Sequence, residues 1–125
     1  MADSICHFEI IGEDPATLRR YYADLFGWGY EVGDAASARV SAPGEYGFLD
    51  EATTAGGTNG GVGGGPGWTP TTVVYIGVAD VEVALARAEE LGGRRLMGPE
   101  GTPGALVVGQ FADPEGNVVG VAGPR

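Results

Sequence analysis

The chain contains two stretches that repeat the same pattern. In each, an alternating apolar segment is followed by an aspartate, a helical pattern and a glycine that ends it. The aspartates Asp14 and Asp80 are 66 positions apart, and so are Leu25 and Leu91. An internal repeat restricts a chain of 125 residues to architectures in which one structural unit occurs twice. It therefore limits the possible folds more than any single motif.

The first repeat opens with a predicted strand at residues 5–11. Successive side chains of a strand point to opposite faces, so Phe8 and Ile10 share one face and His7 and Glu9 share the other. The apolar pair is expected to pack against the following helix.

Both repeats carry the sequence signals of a helix. Asp14 is a helix-capping residue, and Pro15 follows it at the first helical position. Gly27 ends this helix. In the second repeat Asp80 caps the helix and Gly92 follows its last turn. The two helices are therefore bounded at equivalent positions.

Short strands are predicted after each helix, at residues 28–32, 38–42, 46–49, 94–97, 105–112 and 118–122, with a loop at 99–104. Residues 56–67 hold eight glycines in twelve positions, but no phosphate-binding motif fits them. We expect a connector and a strand whose backbone is closely approached by another group. The order of strand, helix and about three strands, given twice, predicts an α+β fold.

Charge and composition narrow the function. The net charge is −10, and the chain has seven arginines, one histidine and no lysine. An acidic chain repels nucleic acid and anionic membranes and attracts cations, although the same charge also serves solubility alone. No apolar run approaches the ~20 residues of a membrane span, and no signal peptide is evident. The single cysteine fits a reducing compartment, so we expect a cytoplasmic protein.

Three passages resemble the vicinal oxygen chelate superfamily, which includes glyoxalase I, extradiol dioxygenases and the bleomycin and fosfomycin resistance proteins. They are CHFEI, DP and LFGW within residues 6–28, GGVGG at 60–64, and FADPEGNVV at 111–119. The resemblance implies one domain over residues 1–125, made of two tandem βαβββ modules at about 4–64 and 71–123. The modules would form a cupped mixed sheet with the ligand inside, and such chains often pair as homodimers.

The resemblance also implies where a metal would bind. In metal-dependent members, the first and last strands of each module supply one ligand each. His7 matches the first of these positions. The other positions hold residues that cannot bind a metal: Val73, Gly120, and either Gly61 or Val62. Even with Glu9 as a second ligand, the set falls short of the three protein ligands of a catalytic site. We therefore expect neither a metal nor another cofactor.

Several residues are candidates for the site. His7 and Glu9 are the catalytic candidates, because a carboxylate near an imidazole raises its pKa and can orient it. Seven residues are candidate ligand contacts: His7, Arg39, Tyr46, Phe48, Trp68, Tyr75 and Gln110. Arg39 would bind an anionic group. The alternative interpretation makes half of these residues core or dimer contacts and His7 a locally satisfied side chain. Cys6 is expected to be buried against the helix.

Two functions of different classes remain. The first is a metal-independent protein, similar to the bleomycin-resistance branch, that binds a small organic ligand of cationic or aromatic character. The second is a lyase, isomerase or hydrolase with His7 as its acid–base group, or a metal-dependent glyoxalase or dioxygenase. A scaffold with an empty cup is a third possibility. No nucleic-acid or membrane partner is expected.

Overall fold

The computed structural model describes residues 2–125. The helices and strands of this part of the chain are β1 (Ile5–Gly12), α1 (Pro15–Phe26), β2 (Tyr30–Gly33), β3 (Tyr46–Leu49), α2 (Glu51–Thr54), β4 (Asn59–Gly64), β5 (Thr71–Gly77), α3 (Val81–Glu90), β6 (Arg94–Thr102), β7 (Leu106–Ala112) and β8 (Val118–Gly123). Among these residues, no helix combines the length and apolar character that crossing a membrane requires.

The chain forms two compact units. The first unit is His7–Thr72, and the second unit is Val73–Arg125 with the N-terminal residues through Cys6. In the first unit the strand order is β2-β3-β4-β1, with β1 parallel to β4 and the other pairs antiparallel. The second unit has the order β5-β8-β7-β6, with β5 parallel to β8 and the other pairs antiparallel. The predicted α+β fold with two βαβββ modules and mixed sheets is confirmed.

The helix ends follow the predicted signals. Asp14 accepts a hydrogen bond from the Thr17 backbone N–H at 3.2 Å, and Asp80 accepts one from the Val83 N–H at 3.1 Å. Each bond satisfies a backbone donor that the first turn of a helix leaves without a partner. Gly27 ends α1 in the left-handed conformation, with φ of 74°. The same kind of aspartate cap therefore fixes the N-terminal end of both helices.

Each unit has its own apolar core. In the second unit, Val81 and Leu85 of α3 are fully buried against Val107 and Val121 of the sheet. In the first unit the core includes the buried side chains of Ile11, Val40, Tyr46 and Val62. One tyrosine is thus part of the apolar core of the first unit, although it carries a hydroxyl group that needs a partner.

Other groups closely approach the glycines of β4, as predicted, and the structure shows that these groups are aromatic rings. A side chain at Gly60 would overlap the ring of Phe8, and one at Gly61 or Gly63 would overlap the ring of Tyr46. Two rings therefore lie directly on the backbone of this strand, one from each neighbouring strand.

Some local predictions are wrong. Residues 38–42 form a turn rather than a strand, because the Ser37 hydroxyl and carbonyl oxygens accept the Arg39 and Val40 N–H groups. β6 continues to Thr102 through the predicted loop, because bulges let it pair again with β7 from Glu100 onward. The short helix α2 was not predicted.

Cys6 is exposed, contrary to the prediction that it is buried against a helix. The helix α1 meets the other end of β1, where Leu18 lies against Gly12. The alternation of faces along the strand is correct, but the cover that the helix provides does not reach the first residues of the strand.

Candidate functional site

Three polar side chains of the first unit form a continuous hydrogen-bonded chain. His7 Nε2 lies 2.9 Å from the Tyr46 hydroxyl oxygen. The Tyr46 hydroxyl in turn donates to Glu9 Oε2 at 3.0 Å. The His7 and Tyr46 rings are nearly parallel, at 17°, with centroids 6.5 Å apart. Tyr46 therefore joins the two residues that the sequence nominated as catalytic.

The backbone brings these three side chains together. His7 and Glu9 are two positions apart on β1 and so share a face. Tyr46 begins β3, two strands away, with β4 between them. Because Gly61 and Gly63 have no side chains, the Tyr46 ring crosses β4 and its hydroxyl reaches β1. The chain of hydrogen bonds thus depends on the glycines of the intervening strand.

Burial differs along this hydrogen-bonded chain. Glu9 and Tyr46 are each 2% exposed, whereas His7 is half-buried. A buried carboxylate without a hydrogen bond would be costly, and the Tyr46 hydroxyl provides one. His7 is the member of the three that can meet a molecule from solution.

Burial lowers the pKa of His7 below 6.5, because desolvation disfavours the charged imidazolium. The sequence predicted the opposite direction, on the ground that Glu9 would raise this pKa. The Tyr46 hydroxyl, a neutral group, lies between His7 Nε2 and the Glu9 carboxyl group. At neutral pH, His7 is therefore an uncharged side chain that can accept a proton.

Aromatic and acidic side chains extend this face across the sheet. Phe48 packs edge-on against Tyr46, with centroids 4.7 Å apart. Phe48 pairs with Gly61 on one side and with Glu31 on the other, and Gly61 pairs with Glu9. Paired residues project from the same side of a sheet. A half-buried phenyl ring thus lies in one row with an exposed carboxylate, that of Glu31.

The second unit carries a related but uncharged arrangement. Tyr75 is 2% exposed, and its hydroxyl accepts a hydrogen bond from Gln110 Nε2 at 2.8 Å. Tyr75 pairs with Gly120, whose missing side chain leaves room for the tyrosine ring. Tyr75 occupies the position equivalent to Glu9, 66 residues on. The two units therefore conserve a glycine under an aromatic ring and differ in the polar groups beside it.

Two further predicted ligand contacts belong to connecting segments of the first unit. Arg39 is exposed on the turn after β2, and its backbone N–H donates to Ser37 Oγ at 3.0 Å. Trp68 is half-buried in the connection after β4, where its backbone N–H donates to the Gly65 carbonyl at 3.1 Å. Within the first unit the structure brings His7, Tyr46 and Phe48 together, and within the second unit it brings Tyr75 and Gln110 together. The binding roles of all seven residues remain predictions.

The donor set does not match the four-ligand metal site of the superfamily. Among residues 2–125, no group of three or more His, Cys, Asp or Glu side chains is arranged to hold a metal ion. His7 Nε2 and Glu9 Oε2 are both hydrogen-bonded to the Tyr46 hydroxyl. In the second unit, the tyrosine ring of Tyr75 occupies the space where a side chain at Gly120 would begin.

The bridging role of Tyr46 was missed by sequence reasoning, which gave this residue only a place among ligand contacts. One signal could have indicated it. Two glycines that alternate on a strand, at 61 and 63, leave a gap on one face, and a large side chain on a neighbouring strand is needed to fill it.

The duplicated module and its mixed sheets define an α+β fold of the glyoxalase type. The sequence model of the glyoxalase-like domain matches residues 8–122, so the chain belongs to that family. The predicted relation to the vicinal oxygen chelate superfamily is thereby confirmed. No curated protein matches the chain at a significant level of sequence similarity.

Solved structures agree on the fold. A variant of Streptomyces coelicolor methylmalonyl-CoA epimerase in complex with 2-nitronate-propionyl-CoA is similar at a TM-score of 0.69 and 14% identity, covering 98% of this chain and 95% of the other. The Mycobacterium tuberculosis methylmalonyl-CoA epimerase gives 0.68 and 12%, covering 97% and 87%. A hypothetical protein from Bacillus halodurans gives 0.67 and 14%, covering 100% and 96%. At this identity the likeness establishes the fold alone.

Proposed function

We propose that the protein binds a small organic ligand without a metal ion, on the face of the first unit that carries His7, Tyr46 and Phe48. One observation carries the proposal: His7 and Glu9 are both hydrogen-bonded to the Tyr46 hydroxyl. A metal at this position would have to displace Tyr46 from both residues and would still have only two protein ligands from one strand, fewer than the three of a catalytic site.

Charge and aromatic surface support a cationic or aromatic ligand. Phe48 offers a ring, and Glu31 in the same row offers a carboxylate. Cations are attracted to both groups. The epimerases with a similar fold bind CoA esters, which carry several phosphates. A chain with a net charge of −10 and no lysine is poorly suited to such polyanions.

Calorimetry with a panel of cationic glycopeptides and uncharged aromatic compounds tests this function. We expect at least one member to bind with a Kd below about 1 mM. Phe48→Ala should weaken that binding, and Leu49→Ala, on the adjacent position of the same strand, is the matched control. A panel without any binder tighter than that limit would contradict the proposal.

An acid–base enzyme is the second candidate, and the buried link from His7 through Tyr46 to Glu9 favours it. His7 would accept and return a proton in a lyase, isomerase or hydrolase reaction, with Glu9 acting on it through Tyr46. For any substrate that is turned over, His7→Ala should abolish turnover while ligand binding persists. Unchanged turnover would remove His7 from the mechanism, and a metal-dependent reaction would require the metal content measured below.

We also propose that the protein is a cytoplasmic homodimer. Support for pairing comes from Tyr21, Leu25 and Phe26 of α1, which are apolar or aromatic and more than half exposed. The reducing compartment is supported by the single cysteine, which is exposed and not in a disulfide. Sedimentation velocity of the wild type and of Phe26→Glu tests the pairing: a wild type that sediments as a monomer would contradict it.

A further inference from the structure

We propose a second binding site, for a small organic amine, in an open groove beside the N-terminal half of α1. The groove has a volume of about 530 Å³ and is lined by residues 10–14, by Thr17, Leu18 and Tyr22 of α1, and by residues 70–72. All of these residues belong to the first unit. Small-molecule sites commonly measure about 300–1,000 Å³, so the groove has the size of such a site.

The groove differs from the face on which the first ligand is proposed to bind. Side chains alternate along β1, so Ile10 projects from the side of the strand opposite to His7 and Glu9. Ile10 lines the groove, whereas His7, Glu9 and Phe48 are not among the described residues that line it. The inference therefore goes beyond the proposed function and does not depend on it.

Apolar side chains form the body of the groove. Ile10, Leu18 and Tyr22 line it and are only half-buried, so part of each surface is open to a ligand. The Tyr22 ring is held by its neighbours: it stacks on Trp28 with centroids 5.4 Å apart and on Phe26 with centroids 6.1 Å apart. A fixed ring loses little freedom when a ligand binds, and its face attracts cations.

One end of the groove is acidic, because Glu13 and Asp14 are exposed and belong to its lining. The Thr17 hydroxyl and backbone N–H donate to Asp14 at 2.8 and 3.2 Å and lower the pKa of its carboxyl group. Arg19 and Arg20 lower this pKa further but less, and neither arginine is among the described lining residues. The charged side chains of the described lining are therefore all negative at neutral pH.

These features select an amine with an apolar body. The ammonium group would lie at Glu13 and Asp14, and the hydrocarbon part would lie against Ile10, Leu18 and Tyr22. The Asp14 carboxylate has about four lone-pair sites, so it can accept a hydrogen bond from an ammonium group in addition to the two bonds of its helix cap. An anion with the same body would be repelled by both carboxylates.

Phenylethylammonium is the probe, and 2-phenylethanol and 3-phenylpropionate are its neutral and anionic counterparts. In an NMR titration we expect the ammonium probe to bind about threefold more tightly than the alcohol, and the carboxylate to bind least. Intermolecular NOEs from the phenyl protons of the probe to the Ile10 and Leu18 methyl groups should locate it in the groove.

Three results would overturn the inference. They are a Kd of the ammonium probe above about 10 mM, equal binding of the ammonium and carboxylate probes, and a bound probe without NOEs to Ile10 or Leu18. NOEs to Phe48 alone would place the probe on the other face. They would therefore support the proposed function while contradicting this second site, so the two failures can be told apart.

Glu13→Gln tests the position of the ammonium group without removing the Asp14 helix cap. It should weaken the binding of phenylethylammonium about two- to fivefold and leave 2-phenylethanol unaffected. Glu115→Gln, which removes the same charge from a turn of the second unit, is the control and should leave both Kd values unchanged. Equal weakening by the two substitutions would contradict the placement of the ammonium group at Glu13.

Discussion

Tyr46 donates its hydroxyl hydrogen to Glu9, 37 residues earlier in the chain, across a strand that has glycine where the ring passes. The bond gives a buried carboxylate its partner and leaves the hydroxyl oxygen to His7. His7 Nε2 and Glu9 Oε2, on the two side chains of this unit that were weighed as metal ligands, thus share one hydroxyl group.

Gly61→Ala should displace the Tyr46 hydroxyl from Glu9 and His7. The added methyl would overlap the Tyr46 ring, which is itself buried in the core. Overpacking of this kind costs about 1–3 kcal/mol of unfolding free energy. Urea denaturation measures the loss.

Gly33→Ala is the matched control for this variant. Gly33 also lies in a strand of the first unit, but a side chain there meets no atom within 4 Å. Its unfolding free energy should stay within about 0.5 kcal/mol of the wild type. Equal destabilisation of the two variants would contradict the account of the Tyr46 ring.

The His7 imidazole should titrate below 6.5, because burial lowers its pKa. The single histidine gives one resolved set of ring signals, so an NMR titration measures this pKa directly. His7→Gln is the control that identifies the signals. A measured pKa above 6.5 would mean that the charge of Glu9 prevails over desolvation.

The same shift makes stability depend on pH. In the unfolded chain His7 takes up a proton near pH 6.5, while in the folded protein it remains neutral to lower pH. The contribution of neutral His7 to the stability of the fold is therefore fully present above about pH 6.5. It is lost as the pH falls through the pKa that His7 has in the folded protein. As the pH is lowered over this range, the unfolding free energy measured in urea should fall more for the wild type than for His7→Gln. Parallel curves would contradict the assignment.

Glu31→Gln should weaken the binding of a cationic ligand roughly two- to fivefold. This is the range expected when an exposed charge pair is removed. Added salt should reduce the difference between the wild type and the variant. Glu115→Gln removes the same charge from the exposed turn before β8 and serves as the control. Equal weakening by both substitutions would mean that only the net charge matters.

Much of the scaffold could be predicted from the sequence, because its signals are local. Asp14, Pro15 and Gly27 act within one turn of the helix that they bound, and Asp80 repeats the device. The exposure of Cys6 was predicted wrongly, because it depends on how far along β1 the helix reaches. That distance is set by packing between distant residues, which alternation along a strand does not reveal.

The site was predictable only in part. Alternation along β1 correctly placed His7 and Glu9 on one face. Their link through Tyr46 depends on how β3, β4 and β1 are aligned with one another. A local sequence pattern does not predict that alignment. The predicted direction of the His7 pKa shift was wrong because the burial of the imidazole, which also depends on contacts between distant residues, was not foreseen.

Metal content is the most direct test of the central claim that this protein acts without a metal. Untagged protein, purified without chelators and incubated with zinc, nickel, manganese or ferrous ions before desalting, should retain far less than one equivalent per chain by elemental analysis. Retention of about one equivalent of any of these metals, the stoichiometry of a genuine site, would contradict the account.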